Sequence, residues 1–169
     1  MKNIKKLLIV FTILLLLFGC KKKEVVDNLD GPYLVERVVD GDTFITNIDG
    51  KRVRVRALCI DTPESVAPEE TGKTNTDEGV ISSNRAKELL DGKNVYLEYD
   101  EEKYDQYDRI LAYVYLEDKE TMFERIMISE GLAKVVKFEP NVKYVDEFYA
   151  LQDKARKDKV GHYANGFYK

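Results

Sequence analysis

The chain has 169 residues, of which 44% are hydrophobic, and 11 tyrosines and 7 phenylalanines can supply a sizeable core. That suits one domain with an appendage, and two cysteines are too few for a disulfide framework or a cysteine zinc site. The formal net charge of −4 argues against broad attraction to polyanions, so a nucleic-acid partner would need a local cationic pocket.

The appendage is the N-terminus. Met1 to Lys6 carries three lysines, and Leu7 to Phe18 is an apolar run too short to span a membrane as a folded helix. A basic start, an apolar stretch and a small residue form the pattern of a secretory signal. Its end, Leu17-Phe18-Gly19-Cys20, resembles the signal of bacterial lipoproteins. The resemblance implies removal of residues 1–19, a lipid on Cys20, and a membrane-held protein on the extracytoplasmic face. Residues 20–30 then read as a polar tether, in which Lys21, Lys22 and Lys23 solvate the linker or touch anionic head groups. Removal takes away three of 27 basic residues and none of 31 acidic ones, moving the net charge from −4 to −7. Cys59 is then the remaining thiol, and its apolar neighbours predict a buried small side chain.

The domain is expected over residues 31–169. Tyr33 to Val39 reads as a strand, Asp40-Gly41-Asp42-Thr43 as a tight turn, and Phe44 to Asn47 as a second strand. Asp49-Gly50 is a hairpin signal leading to a third strand, Lys51 to Ile60, so the three form a meander. Ser65 to Asp77 has no periodicity and reads as a long loop, the kind that is usually functional. Glu78 to Leu90 predicts a helix capped by Thr76 or Asp77, with Val80, Ile81, Ala86, Leu89 and Leu90 inward. Strands follow at Asn94 to Tyr99 and Arg109 to Leu116. Thr121 to Glu130 predicts a second helix, with Thr121 as N-cap and Gly131 just past its end. A third helix is expected over Lys143 to Asp158, with Val145, Phe148, Tyr149, Leu151, Gln152 and Ala155 inward. Five strands with a helix between the third and fourth is the element order of an OB-fold. The expected class is therefore mixed α+β, a five-stranded Greek-key barrel with three helices.

The stretch from Arg54 to Glu64, RVRALCIDTPE, concentrates the chemistry. Val53, Val55 and Ala57 alternate with Arg52, Arg54 and Arg56, and Pro63 stops the strand. A cation therefore stands near the strand's end, and the carboxylates of Asp61 and Glu64 stand on the turn that leaves it. One carboxylate can hold a hard metal, another can activate water, and an arginine can grip phosphate.

VVDGDTF, RVRALCIDTPE, DQYDRILAYVY and MISEGLAKV, in this order, resemble the staphylococcal-nuclease-type thermonucleases over about Gly31 to Tyr163. That resemblance implies a calcium site from Asp42, Asp61 and the backbone carbonyl of Thr62. It implies Glu64 as the base or water-positioning carboxylate, Arg56 and Arg109 as phosphate-gripping arginines, and Tyr107 at the nucleotide pocket. By the same resemblance the substrates are single- and double-stranded DNA and RNA, cleaved with release of the 5′ oxygen and leaving 3′-phosphates. A monomer is expected, and His162 has no part in the chemistry. The chain departs from the family pattern at Asp108, where many relatives have glycine, and at Lys137 and Phe138, where a tyrosine wall is usual. A rival reading, an OB-fold that only binds single strands, should have lost a carboxylate or an arginine, and this chain keeps them all.

Overall fold

A computed structural model describes residues 28–65 and 75–169. The expected signal peptide, Cys20, most of the tether, and Glu69, Glu70 and Lys73 of the loop lie outside the described residues. The elements run β1 (Asp30–Val38), β2 (Thr43–Ile48), β3 (Lys51–Ala57), β4 (Ile60–Asp61), α1 (Asp77–Leu90), β5 (Asn94–Glu98) and β6 (Ile110–Tyr115). Then come α2 (Phe123–Ser129), β7 (Lys134–Val135), α3 (Val145–Asp158) and a 3₁₀ turn at Gly161–Tyr163.

Five strands close a barrel in the order β1-β2-β3-β6-β5, the OB-fold expected from the element order. The meander forms through Asp49 and Gly50, whose φ values of 52° and 78° are those of a type I′ hairpin, so Ile48 pairs with Lys51. β3 and β6 pair in parallel, with Val55 opposite Ile110. Inward positions of the strands supply the core: Val35, Phe44, Val55, Val95, Leu97 and Val114 are all at most 1% exposed. Burying each such side chain is worth about 1.5–3 kcal/mol, so the alternating strand pattern alone fixes which face turns inward.

Four expectations need correction. The third strand does not run to Ile60. It ends at Ala57, the chain turns at Leu58-Cys59 with Cys59 at φ 59°, and Ile60–Asp61 pairs instead with Lys134–Val135. Cys59 is buried as expected, 2% exposed, and its thiol donates to the Asn141 carbonyl. The inward face of α1 is Gly79, Ser82, Ser83, Ala86 and Leu90, while Val80 and Ile81 are about half exposed. The small residues let the helix lie close to its neighbours. Ser82 donates to the Leu132 carbonyl and meets His162 Nε2 at 2.8 Å, which gives the single histidine a packing role. Thr121 does not cap α2; the helix begins after Met122, and Thr121 bonds to Asp118. Tyr149 of α3 is 40% exposed, not inward. Thr76 does cap α1, accepting from Gly79 N–H at 2.9 Å, and Gly131 closes α2 at φ 69°.

Candidate active site

The site is built where β1 turns into β2 and where β3 runs out. The Asp40–Thr43 turn is closed by Val39 N–H on the Thr43 carbonyl, 2.8 Å, and Ala57 N–H on the Asp42 carbonyl, 2.9 Å. Gly41 is required there because a Cβ would stand 2.7 Å from Thr62 Oγ1. That close approach brings the Thr62 segment onto Asp42. Thr62 N–H and Oγ1 donate to Asp42 Oδ2 at 3.0 and 3.1 Å, and Thr43 Oγ1 donates to Oδ1 at 3.0 Å. Two distant segments, the hairpin turn and the strand end, are thus locked through one buried carboxylate.

Arg56 pairs with Thr43 across the β2–β3 ladder. Its Nη1 donates to the Ala57 carbonyl at 2.7 Å, which aims Nη2 at Asp42 Oδ2, 3.2 Å, and Asp61 Oδ1, 3.7 Å. Its side chain is only 14% exposed and that of Asp42 8%, so this pair meets largely out of water, where its attraction is stronger than between solvated groups. Arg56 is therefore no solvated strand end.

A cavity of about 230 Å³ opens over this cluster, lined by Asp40, Asp42, Thr43, Arg56, Asp61, Thr62, Pro63, Glu64 and Arg109. Six of the residues singled out in the sequence converge on it: Asp42, Asp61, Thr62, Glu64, Arg56 and Arg109. Tyr107 is not in its lining. It stands outside, 71% exposed, with its ring centroid 5.5 Å from the Arg109 guanidinium carbon. A second cavity of about 230 Å³ adjoins through Arg56 and Asp61 and is walled by Leu111, Val136 and Phe138.

Three groups were not singled out in the sequence. Asp40 lines the pocket, and burial, with the negative charge of Asp42 beside it, pushes its carboxyl up to about 7. Asp105 holds Arg109 in place: it accepts the Arg109 Nε–H at 2.7 Å and the backbone N–H groups of Arg109 and Tyr107 at 3.0 and 2.9 Å. Burial alone would raise the Asp105 carboxyl, but those bonds outweigh it and the net shift is downward. Gly79 of α1 abuts the Glu64 backbone, where a Cβ would lie 2.1 Å from the carbonyl oxygen. Thr76 N–H donates to that same carbonyl at 3.1 Å. The signal for Asp40 was its spacing of two from Asp42; nothing in the local sequence points to Gly79.

The donor set is all oxygen: the carboxylates of Asp42 and Asp61, with Asp40 and Glu64 nearby and the Thr62 backbone beside them. That chemistry suits a hard cation such as calcium. A positive charge already bridges the two aspartates, since Arg56 Nη2 lies between Asp42 and Asp61. No three acidic, cysteine or histidine side chains converge as a ready cage among the described residues. The residues therefore fit a cation held by few protein ligands, with the remaining positions open to water or substrate oxygen.

The family model for staphylococcal nuclease homologues matches residues 54–165. A thermonuclease of Staphylococcus intermedius is 41% identical over 142 residues, 84% of this chain and 82% of that protein. A thermonuclease of Staphylococcus hyicus is 40% identical over 79% of this chain and 76% of its own length. Endonuclease YncB of Bacillus subtilis is 36% identical over 79% of this chain and 62% of its own. Barrel, acid turn, paired arginines and this similarity agree: the chain belongs to the staphylococcal nuclease family.

Proposed function

We propose that this protein is a calcium-dependent nuclease that hydrolyses phosphodiester bonds of DNA and RNA, releasing the 5′ oxygen and leaving 3′-phosphates. Its membership of a nuclease family supports the hydrolase class. The observation that carries the reading is the convergence of Arg56, Arg109 and Glu64 on one pocket with Asp42 and Asp61. Asp42, Asp61 and the Thr62 carbonyl would hold the ion. Calcium, when bound, supplies positive charge to a phosphoryl oxygen.

The chain's own residues do the rest. Glu64, on the turn after Pro63, orients the attacking water or takes its proton. Arg56 and Arg109 face charge that grows on the phosphoryl oxygens as water adds, and planar guanidinium groups match two such oxygens at once. Asp105 fixes the Arg109 side chain before substrate arrives, so little ordering is left for the transition state. Tyr107 and Phe138 offer flat faces for bases, and Leu111 and Val136 complete an apolar wall beside Phe138. Phe138 has no hydroxyl to read base edges, which suits weak sequence preference.

The test is cleavage of single-stranded DNA with and without calcium, with Glu64→Ala as control. Removing a general base costs about 10²–10⁴ in rate. Cleavage that survives a strong chelator would remove calcium from this reading, and an unaffected Glu64→Ala would remove Glu64. The protein would act at the outer face of a membrane, held by a lipid on Cys20. There each buried CH₂ of the acyl chains adds about 0.8 kcal/mol to anchoring. Cys20→Ser should release it to the soluble fraction or block its processing; a soluble wild-type mature protein would refute the anchor.

A further inference from the structure

The outer face of the barrel carries arginines that the pocket does not use. Alternate residues of a strand share a face, so Arg52, Arg54 and Arg56 stand together on β3, with about 6.6 Å between successive members. Arg56 lies in the pocket. Arg54 pairs across the ladder with Ile45, and Ile45 pairs with Arg37 of β1. Ile45 is 4% exposed although it belongs to this outer face, as expected where long aliphatic stems cover it. The parallel β3–β6 register, one step before Val55–Ile110, brings Arg54 level with Arg109. Five arginines thus share one face of a chain whose net charge is −4.

Their pairing differs. Arg52, at the far end, is tied to Glu36 at 2.8 Å, and Arg109 and Arg56 are tied to aspartates. Arg37 and Arg54 are exposed, and among the described residues neither has a carboxylate within ion-pair distance. Leaving two cations unpaired beside an acidic pocket, in a chain with acids in excess, keeps them available to an outside anion.

We propose that Arg37 and Arg54 form a track for the sugar–phosphate backbone of a single-stranded nucleic acid, extending the grip of the active site beyond the scissile phosphate; this rests on the nuclease reading above. The spacing along β3 is comparable to the phosphate repeat of an extended strand. The two strand widths from Arg54 to Arg37, about 9.6 Å, carry the track sideways. Arginines aimed at phosphates hold position without reading sequence.

The test compares the full chain with an Arg37→Gln/Arg54→Gln double variant on a dinucleotide and on a dodecanucleotide of the same sequence. Glutamine keeps part of the stem over Ile45 and removes the charge. The KM for the dodecanucleotide should rise about tenfold, the defect on the dinucleotide should be much smaller, and the salt slope of log KM should drop by about 1.4, or 0.7 per lost phosphate contact. An Arg37→Lys/Arg54→Lys variant should retain most of the salt slope. An equal defect at both lengths would overturn the track. So would an unchanged length dependence with lost binding to phosphatidylglycerol vesicles, which would assign the face to anionic lipid. If the wild type cleaves neither substrate, the nuclease reading fails first, and that outcome is distinct.

Discussion

Asp40 and Asp42 show how two identical side chains two residues apart meet different surroundings. Asp42 receives three hydrogen bonds and the Arg56 guanidinium, whereas the Asp40 Oδ1 accepts the backbone N–H of Asp42 at 3.1 Å. Burial and the neighbouring charge raise the Asp40 carboxyl to about 7, against an ordinary aspartate value of about 3.9. Between those values the folded protein binds a proton that the unfolded chain has released, so stability is lost as pH rises from about 4 to about 7. Asp40→Asn should flatten that part of the stability curve in calcium-free buffer. Carbon NMR of the Asp40 carboxyl should show a midpoint near 7 that moves down when calcium is added, since a nearby cation favours the ionised form. A midpoint near 4 without calcium would contradict this. Arg109 belongs to the same scale. Its value to the site depends on Asp105, which reads as an ordinary loop acid until the fold places it at the guanidinium.

At the scale of elements, α1 positions the turn that carries Glu64. Gly79 lies in the first turn of that helix, where alanine would ordinarily add about 0.8–1.0 kcal/mol of helix stability. Here the added Cβ would sit 2.1 Å from the Glu64 carbonyl oxygen and 2.8 Å from Ser65 N, both backbone atoms that cannot swing aside. The clash wins: Gly79→Ala should displace the Glu64 turn and lower kcat by at least about tenfold, a loss of about 1.4 kcal/mol in transition-state stabilisation. The far-UV circular dichroism should stay unchanged. Unchanged kcat would show that the helix yields instead of the turn. This contact also marks what the sequence could and could not convey. Alternation in Lys51–Ala57 and the Asp49-Gly50 turn announced the meander, because strand burial and hairpin geometry depend on neighbours in the chain. The break at Leu58-Cys59 was invisible, since a cysteine at φ 59° carries no turn signature. The inward face of α1 was misplaced because close packing selected Gly79, Ser82 and Ser83 over Val80 and Ile81. Asp42, Asp61, Thr62 and Glu64 were legible together because the family motif joins them; their support by Gly41, Gly79 and Asp105 exists only in three dimensions.

For the whole molecule, the balance of charge around one pocket links ligand binding to stability. Asp40, Asp42, Asp61 and Glu64 crowd a single cavity, and Arg56 and Arg109 offset only part of that charge. A bound cation that the unfolded chain does not hold stabilises the fold by mass action. Extracellular calcium sites with few carboxylates have dissociation constants of about 10⁻⁴ to 10⁻³ M. Calcium at ten times such a constant adds about 1.4 kcal/mol, and for a domain of this size each kcal/mol moves Tm by about 2–4 °C. A rise of about 3–6 °C is therefore expected in 10 mM calcium for a constant of about 10⁻³ M, and about 5–11 °C for one of about 10⁻⁴ M. Magnesium should give less, because it sheds its bound water more reluctantly than calcium. Asp61→Ala should abolish the calcium increment while leaving the metal-free Tm nearly unchanged. Its side chain is 50% exposed, and ion pairs of half-exposed groups add little to stability. Asp42→Ala should differ on the second count: its carboxylate is 8% exposed and joins the Thr62 segment to the β1–β2 turn, so the metal-free Tm should fall as well. Thermal scans of both variants at zero and 10 mM calcium separate the two roles. A wild-type Tm that ignores calcium would remove the ion from the site, while equal metal-free losses in both variants would show that Asp61 also holds the fold.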